Sequence, residues 1–520
     1  MLSIRILNPE YMLFNSFHFL VFLPIVVVLY YALPQKFRWF LLLVASYYFY
    51  MSWKAEYIIL IVASTLVDFG AGLAIEKAVS KKRKKLWLFL SLFVNLGLLF
   101  TFKYWDFFNE SIRDTLNLFS IPFDPSTLKL LLPVGISFYT FQTLSYTIDI
   151  YYGKIKPIKH LGIFATYVSF FPQLVAGPIE RAKHLIPQFY NKVVFEYERV
   201  KNGLLLMLWG FFVKIVIADR LAILVNTVYK HEESHNYLLD PLTPESIIEI
   251  LEMHNIDAVL PTMGGHTGAS LFIASFFFMF QLYLDFSAYS NIAIGAARVL
   301  GFDLQSNFRR PYWATSISDF WHRWHISLST WFRDYVYIPL GGNKRGLKRH
   351  LINLLITFLL SGLWHGASWN FALWGLLNGL FLIVQVLIDR KKTSKKPKTY
   401  FIKRLLQSAV VMLLWGGSLI FFRAQTFDDA IYVFQNISLT GWDNLYELGL
   451  TVSEFKFVFY CLVSIYILDY IQEKKDLYKF LADRNIVIRF AVYITAILMI
   501  IYLGAYGEDV SDNQFLYFQF

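Results

Sequence analysis

Long apolar runs recur along almost the whole chain, and they constrain its fold more than any other feature. The 520-residue sequence is 57% hydrophobic and 19% aromatic, with a mean hydropathy of +0.47. Its apolar runs are about 16–22 residues long, close to the length that an α-helix needs to cross a bilayer. Backbone amides inside a bilayer must be bonded within the protein, so such runs form helices. The sequence therefore predicts an all-α, polytopic transmembrane bundle.

The runs predict about 11–13 membrane segments within a single transmembrane domain, some of them re-entrant or broken. They are residues 18–33, 37–53, 57–75, 86–104, 130–150, 161–178, 203–224, 270–298, 351–366, 369–388, 405–423, 457–471 and 488–505. Residues 229–268 are hydrophilic, so we expect an extracytoplasmic loop insertion there. Residues 506–520 are expected to form an extracytoplasmic C-terminal tail.

The positive charge of the chain lies in short loops between the apolar runs. The formal net charge is +11, and the basic residues cluster at 81–85, 344–349, 390–398 and 474–475. Cytoplasmic loops of membrane proteins are enriched in Lys and Arg and face anionic lipid. This placement predicts lipid contact rather than a nucleic-acid partner. It also puts the end of the chain outside the membrane.

Cysteine usage limits the redox and metal chemistry that the chain can perform. The one cysteine, Cys461, lies in an apolar run, which excludes an internal disulfide and a Cys-based metal site. No compact spacing of His, Asp and Glu is typical of a metal site either. We expect no metal and no permanently bound cofactor.

A polar island between residues 307 and 370 interrupts the apolar sequence. It contains three of the chain's eleven histidines, His322, His325 and His365. Titratable groups are costly in a bilayer, and they usually mark functional sites there. If a helix begins near residue 351, His365 lies about 20 Å along it. It is then either a buried general base or a neutral histidine bonded to a helix carbonyl.

His325 has a second potential partner in its own segment. Its spacing to Ser329 puts both residues on one helical face, as in a Ser–His nucleophile pair. No third, orienting acid is evident, so a polar network that braces a broken helix is an equal alternative.

Other polar residues suggest a donor entrance and a cavity wall. A group of arginines, called here the collar, would bind an anionic, phosphate-bearing donor at the entrance. Binding of lipid headgroups would also explain these arginines. The candidates for this collar are Arg309, Arg310, Arg323 and Arg333. Polar side chains in apolar runs face a cavity or bond another helix. The candidate cavity-lining residues are Asp285, Ser287, Tyr289, Asn291, Ser329 and Trp364.

Several long motifs, in the same order, resemble those of the membrane-bound O-acyltransferases, and especially the bacterial alginate and peptidoglycan O-acetyltransferase membrane subunits. They are LLPVGISFYTFQTLSYTIDIY, FFPQLVAGPIER, QLYLDFSAYSNIAIG, NFRRPYWATSISDFWHRWHISLSTWFRDYVYIPLGGN and SGLWHGASWNFALWG. The resemblance implies a ring of tilted helices around two thin funnels that nearly meet. It implies that His365 is the family's invariant histidine and that His325 is a second important residue. A cytoplasmic thioester would then supply an acyl group to an extracytoplasmic hydroxyl.

The end of the chain, QFLYFQF, resembles the C-terminal tyrosine peptide associated with D-alanine transfer to teichoic acid. That resemblance implies that Tyr517 is an acyl carrier, with an aromatic tail at the membrane interface as the alternative. About 12 residues separate Tyr517 from the last apolar run, a reach of up to roughly 40 Å.

Together these features predict a bacterial inner-membrane O-acetyltransferase with acetyl-CoA as its donor. Its acceptor would be an extracytoplasmic polysaccharide, either an alginate-like exopolysaccharide or peptidoglycan. An extracytoplasmic partner transferase of the SGNH type would complete the transfer. D-alanyl transfer to teichoic acid is the alternative within the enzyme class. A polar-solute transporter is the alternative outside it, although no inverted repeat is evident.

Overall fold

The protein is helical throughout the part that a computed structural model describes. That part comprises residues 12–124, 127–128, 130–229, 266, 268–390, 401–442, 448–475, 477–506 and 515–516. Within it there is no β-strand, only an isolated bridge between Gly268 and Ile437. The predicted loop insertion at 229–268 falls almost entirely outside these residues, and its location stays a prediction.

The α-helices follow the apolar runs of the sequence. They are α1 Phe17–Ala32, α2 Gln35–Met51, α3 Ile58–Lys77, α4 Lys81–Leu99, α5 Trp105–Asn117, α6 Ile136–Tyr151, α7 Leu161–Ser169, α8 Ala182–Tyr190, α9 Tyr197–Phe211, α10 Asp219–Tyr229, α11 Ala269–Val299, α12 Ile317–Trp321, α13 Ile326–Phe332, α14 Leu347–His365, α15 Trp369–Arg390, α16 Phe401–Arg423, α17 Phe427–Asn436, α18 Val452–Gln472, α19 Leu477–Ala482 and α20 Ile486–Leu503. Two π-helical segments, Phe100–Tyr104 and Phe212–Ala218, join α4 to α5 and α9 to α10.

Six helices among the described residues are long and apolar enough to cross a membrane. They are Ala55–Lys77, Lys81–Asn117, Ala269–Val299, Trp369–Arg390, Phe401–Arg423 and Ile486–Leu503. Other apolar runs form shorter helices, such as α7, which ends nine residues before the run does. The predicted all-α, polytopic fold is confirmed.

Helix α11 lies in the interior of the protein. Most of its residues are buried, and it contributes side chains to both hydrophobic clusters of the core. Its Gly295 faces Gly203 of α9 so closely that a Cβ at Gly295 would lie 2.6 Å from the Gly203 carbonyl oxygen. Small residues allow such close backbone approach between membrane helices. This contact positions the polar middle of α11 inside the protein.

Helices α14 and α15 form a second close pair, which positions His365. A Cβ at Gly362 would lie 2.2 Å from the carbonyl oxygen of Phe371, and one at Gly375 would lie 2.3 Å from that of Phe358. Helix α14 begins at Leu347, four residues earlier than predicted, because its basic first turn is helical. His365 is the last residue of α14.

The polar island before α14 is a broken helical segment. Two short helices, α12 and α13, are separated by residues 322–325, and a π-helical turn, Arg333–Tyr337, follows α13. Ser316 caps α12 by accepting a hydrogen bond from the backbone N–H of Asp319 at 3.1 Å. The break brings this segment back into the protein interior beside α14.

Candidate active site

His365 is held in one tautomer at the end of α14. Its Nδ1 lies 2.6 Å from the carbonyl oxygen of Ser361. A carbonyl can only accept a hydrogen bond, so Nδ1 carries the proton and Nε2 of the neutral ring carries the lone pair. The residue is 7% exposed, and the rings of Trp374 and Phe422 lie 4.9 and 5.6 Å from its ring. This geometry provides an oriented base in an apolar pocket.

His325 lies beside His365 because of an unusual backbone conformation. Its φ and ψ angles are 42° and 54°, in the left-handed region, at the residue that precedes α13. Residues other than glycine rarely adopt this backbone conformation, and those that do are enriched at functional sites. The turn places the His325 ring in the protein interior. The centroid of this ring lies 6.5 Å from that of the His365 ring and 4.7 Å from that of the Phe286 ring. The structure therefore brings together the two histidines that the sequence singled out.

A cavity of about 680 Å³ extends along α14 to both histidines. Its α14 wall consists of residues that share one helical face, His350, Leu354, Thr357, Phe358, Ser361 and His365. From His350 to His365 this face is about 22 Å long. The cavity therefore reaches from the basic start of α14, which the charge pattern assigns to the cytoplasmic side, to the buried imidazole.

A second, smaller cavity meets His365 from another direction. It measures about 40 Å³ and is lined by residues 132–138, with Lys103, Val175, Trp364 and His365. Within the described part of the chain, His365 is the one residue that lines both this cavity and the large one. The imidazole thus lies between two separate spaces, as in the two funnels that the resemblance implied.

Ser329 lines the large cavity but is not aligned as a nucleophile. Its hydroxyl donates to the carbonyl oxygen of Trp324 at 3.1 Å. His325 precedes α13 in a left-handed turn, and its carbonyl oxygen accepts a hydrogen bond from the Ser329 backbone N–H at 2.9 Å. The bracing alternative describes Ser329 better than a Ser–His pair does.

The four arginines of the predicted collar separate into two groups. Arg309 and Arg333 line the large cavity. Arg323 instead bonds Asp319 at 2.7 Å and Glu473 at 2.5 Å. Arg310 lies 4.0 Å from the same Glu473 carboxylate. Arg333 also bonds a carboxylate, that of Asp334 at 2.8 Å, so three of the four arginines have such a partner. Lining of the large cavity therefore reduces the collar to Arg309 and Arg333.

The remaining predicted cavity-lining residues lie in three places. Trp364 lines the small cavity, while Ser287 and Asn291 line a third cavity of about 600 Å³ that also includes Arg309 and Arg310. Asp285 and Tyr289 contact other parts of the protein. Asp285 bonds Lys214 at 2.7 Å, and the Tyr289 ring packs on the ring of Phe515 at 4.8 Å.

Tyr517 lies outside the described residues, so its predicted role as an acyl carrier stays a prediction. Two residues just before it, Phe515 and Leu516, are described, and they are 1% and 4% exposed. The chain near its end is thus packed inside the protein at these two residues. Among the described residues no group of three or more His, Cys, Asp or Glu side chains could hold a metal ion.

Lys103 is a residue of the site that the sequence analysis missed. Its Nζ donates to the carbonyl oxygens of Trp364 and His365 at 2.8 and 3.0 Å. These carbonyls end α14, where the helix dipole favours a cation. Lys103 also lines the small cavity. A lone lysine near the end of an apolar run was the signal in the sequence, since intramembrane charges are functional candidates.

Comparison with known proteins gives this geometry a family. Residues 260–423 match the model of the membrane-bound O-acyltransferase family, and this range includes both histidines. The chain is 37% identical to the probable alginate O-acetylase of Azotobacter vinelandii, over 81% of this chain and 76% of the relative. It is 33% identical to the peptidoglycan O-acetyltransferase of Helicobacter pylori, over 76% and 72%. It is 27% identical to the teichoic acid D-alanyltransferase of Streptococcus thermophilus, over 56% and 69%. The chain therefore belongs to the membrane-bound O-acyltransferase family and is a multi-pass membrane acyltransferase.

Proposed function

We propose that the protein transfers acetyl from cytoplasmic acetyl-CoA through the membrane for O-acetylation of an extracytoplasmic polysaccharide. One observation carries this proposal: His365 lies between a long cavity that begins at basic residues and a small cavity beyond it. A thioester donor can reach the imidazole along α14 while the acceptor approaches from the other side. An enzyme whose two cavities stay separate can transfer an acyl group from a cytoplasmic donor to an external acceptor.

The proposed chemistry uses His365 as the general base. Its Nε2 takes the proton of an acceptor hydroxyl, and the oxygen attacks the carbonyl carbon of the thioester. The carbon–sulfur bond then breaks, and the CoA thiolate receives the proton from the imidazolium. The bond from Nδ1 to Ser361 fixes the ring orientation throughout. In our proposal the first acceptor is the phenol of Tyr517, which passes acetyl to an SGNH-type partner transferase outside.

The identity of the acyl group and the acceptor rests on the relatives. The relatives named as alginate and peptidoglycan O-acetyltransferases match at 33–37% identity over at least 72% of the chain. The teichoic acid D-alanyltransferases match at 26–27% over about half of it. This difference favours acetyl over D-alanyl and a bacterial inner-membrane setting. Family membership also removes the transporter alternative.

Release of CoA by the purified, lipid-reconstituted protein tests the proposal. We expect turnover of acetyl-CoA to free CoA and labelled protein or acceptor, with none from a His365 variant. If the protein does not turn over acetyl-CoA but does turn over a D-alanyl thioester, the acetyl assignment is wrong and the protein transfers D-alanyl groups.

The two cavity arginines should govern donor affinity. Arg309→Gln and Arg333→Gln are each expected to raise KM for acetyl-CoA about tenfold, with kcat little changed. Each variant removes a charge that we assign to the donor's phosphates, a contact present equally in the ground and transition states. Steady-state kinetics of CoA release measure both constants.

Two variants control this prediction. Lys348→Gln removes an exposed charge of α14 that does not line the cavity, so it should leave KM unchanged. Arg323→Gln should instead lower thermal stability, because it leaves Glu473 with fewer partners. If Arg309→Gln and Arg333→Gln lose expression while KM stays as in wild type, these arginines are packing or lipid anchors.

Lys103 should affect the chemical step through the end of α14. Lys103→Met removes two charge-assisted hydrogen bonds, so we expect kcat to fall about 10- to 100-fold with little change in KM. Lys103→Arg should retain more activity than Lys103→Met. Thr101→Val, in the same π-helical segment, is the control, since the Thr101 hydroxyl bonds the Gly97 carbonyl of its own helix. Equal kcat in Lys103→Met and wild type would contradict this role.

A further inference from the structure

A buried group of three charged residues has no part in the proposed chemistry. Lys214 Nζ lies 2.8 Å from Asp219 and 2.7 Å from Asp285. All three residues are at most 4% exposed. One ammonium with two carboxylates leaves a net negative charge inside the protein. Buried charges are stable only when further hydrogen bonds satisfy them.

The C-terminal segment supplies that further hydrogen bond. The backbone N–H of Leu516 donates to Asp285 Oδ2 at 2.8 Å. The ring of Phe515 covers the ammonium of Lys214, with Nζ 4.4 Å from the ring centroid, a cation–π contact. The other side of the site is the ring of Tyr289, edge-on to Phe515. The charged group therefore binds the backbone amide of one of these two C-terminal residues and the aromatic ring of the other.

The π-helical segment Phe212–Ala218 contacts the C-terminal part of the chain in two places. Lys214 belongs to it, and its Ile215 carbonyl accepts a hydrogen bond from Ala505 at 3.0 Å, just after α20. The irregular hydrogen bonding of a π-helix, a form often found at functional sites, accompanies this contact. Ala505 and Phe515 thus both contact this segment.

The position of Asp285 links this contact to the active site. The next residue, Phe286, has its ring 4.7 Å from that of His325, which lies beside His365. We propose that Lys214, Asp219 and Asp285 form a docking site for the chain's own C-terminal segment, which holds Phe515 and Leu516 inside the helical bundle and so delivers the chain end to the two histidines. The three are positioning residues, and their purpose rests on the proposed function, in which Tyr517 receives the acyl group.

Cysteine accessibility in the full-length protein tests the docking directly. In a Cys461→Ser background, Leu516→Cys should react with a maleimide at least about tenfold more slowly than Val79→Cys, because Leu516 is buried and Val79 is 98% exposed. Adding Asp285→Leu should speed the reaction about 10- to 100-fold, since the amide loses a charged acceptor. That variant keeps Lys214 paired with Asp219. Phe515→Ala leaves all three charges in place, and it should also speed labelling.

Asp68→Asn is the matched control. Asp68 is another fully buried carboxylate, bonded by Ser91, Asn95 and Thr147, so its replacement lowers stability without touching the site. Labelling at Leu516→Cys should stay slow in that variant. Fast labelling in the otherwise unchanged protein would overturn the proposal, as would slow labelling in both Phe515→Ala and a folded Asp285→Leu.

Failure of docking can be told apart from failure of the carrier. If Tyr517→Phe abolishes acetylation while Asp285→Leu and Phe515→Ala leave the tail protected, the docking site is wrong and the carrier stands. If Asp285→Leu exposes the tail while Tyr517→Phe stays active, docking stands and the carrier is wrong.

Discussion

Replacing His365 with alanine should abolish acyl transfer, with a rate at least about 10²- to 10⁴-fold below wild type. The expectation follows from the tautomer: the proton on Nδ1 is committed to Ser361, so Nε2 is the site that can accept a proton. Among the described residues, His365 alone lines both cavities. Release of CoA from acetyl-CoA by reconstituted protein is the measurement.

The controls separate a base from a packing residue. His365→Gln keeps a polar side chain of similar reach but cannot accept and return a proton, so it should be as inactive as His365→Ala. His18→Ala, at an exposed histidine of α1 bonded to Tyr48, should retain activity. Both His365 variants should purify as folded protein that binds acetyl-CoA. Activity of His365→Gln within tenfold of wild type would show that the residue is not the base.

The sequence predicted the helices well but misplaced several of their ends. The run 351–366 corresponds to α14, and the run 86–104 corresponds to α4 and the π-helical segment after it. Both helices begin four or five residues earlier, within basic clusters that were assigned to loops. Hydropathy marks the part of a helix that lies in apolar surroundings, whereas the helix itself continues until a cap such as Ser80 stops it.

The sequence also singled out both histidines of the candidate site, because ionisable residues in an apolar chain are rare. It could not foresee the left-handed turn at His325, and it left a Ser–His pair and a bracing network as equal alternatives. Nor could it foresee that Asp285 bonds a residue 231 positions away, since such partners depend on tertiary packing. Lys103 was missed for a simpler reason: it lies inside the predicted run 86–104, and its charge was not considered there.

Tyr517→Phe should block acetylation of the external glycan while leaving the fold intact. The substitution keeps the aromatic ring and removes only the hydroxyl, so a packing role would be preserved. A phenol ionises near pH 10 in water, and it therefore needs a base such as His365 to attack a thioester at neutral pH. The aryl ester formed remains activated, because a phenolate is a better leaving group than a sugar alkoxide.

This property would let one tyrosine carry acetyl to a serine of an external partner without a further energy source. Glycan acetylation in cells and acetyl labelling of the purified protein are the two readouts for Tyr517→Phe, and both should be lost. Tyr506→Phe is the matched control, since Tyr506 is exposed after α20 and its hydroxyl bonds the carbonyl of Ile500. Wild-type acetylation in Tyr517→Phe would reduce the tail to an anchor, and the first acceptor of the acyl group would then have to be a hydroxyl of the partner or of the glycan itself.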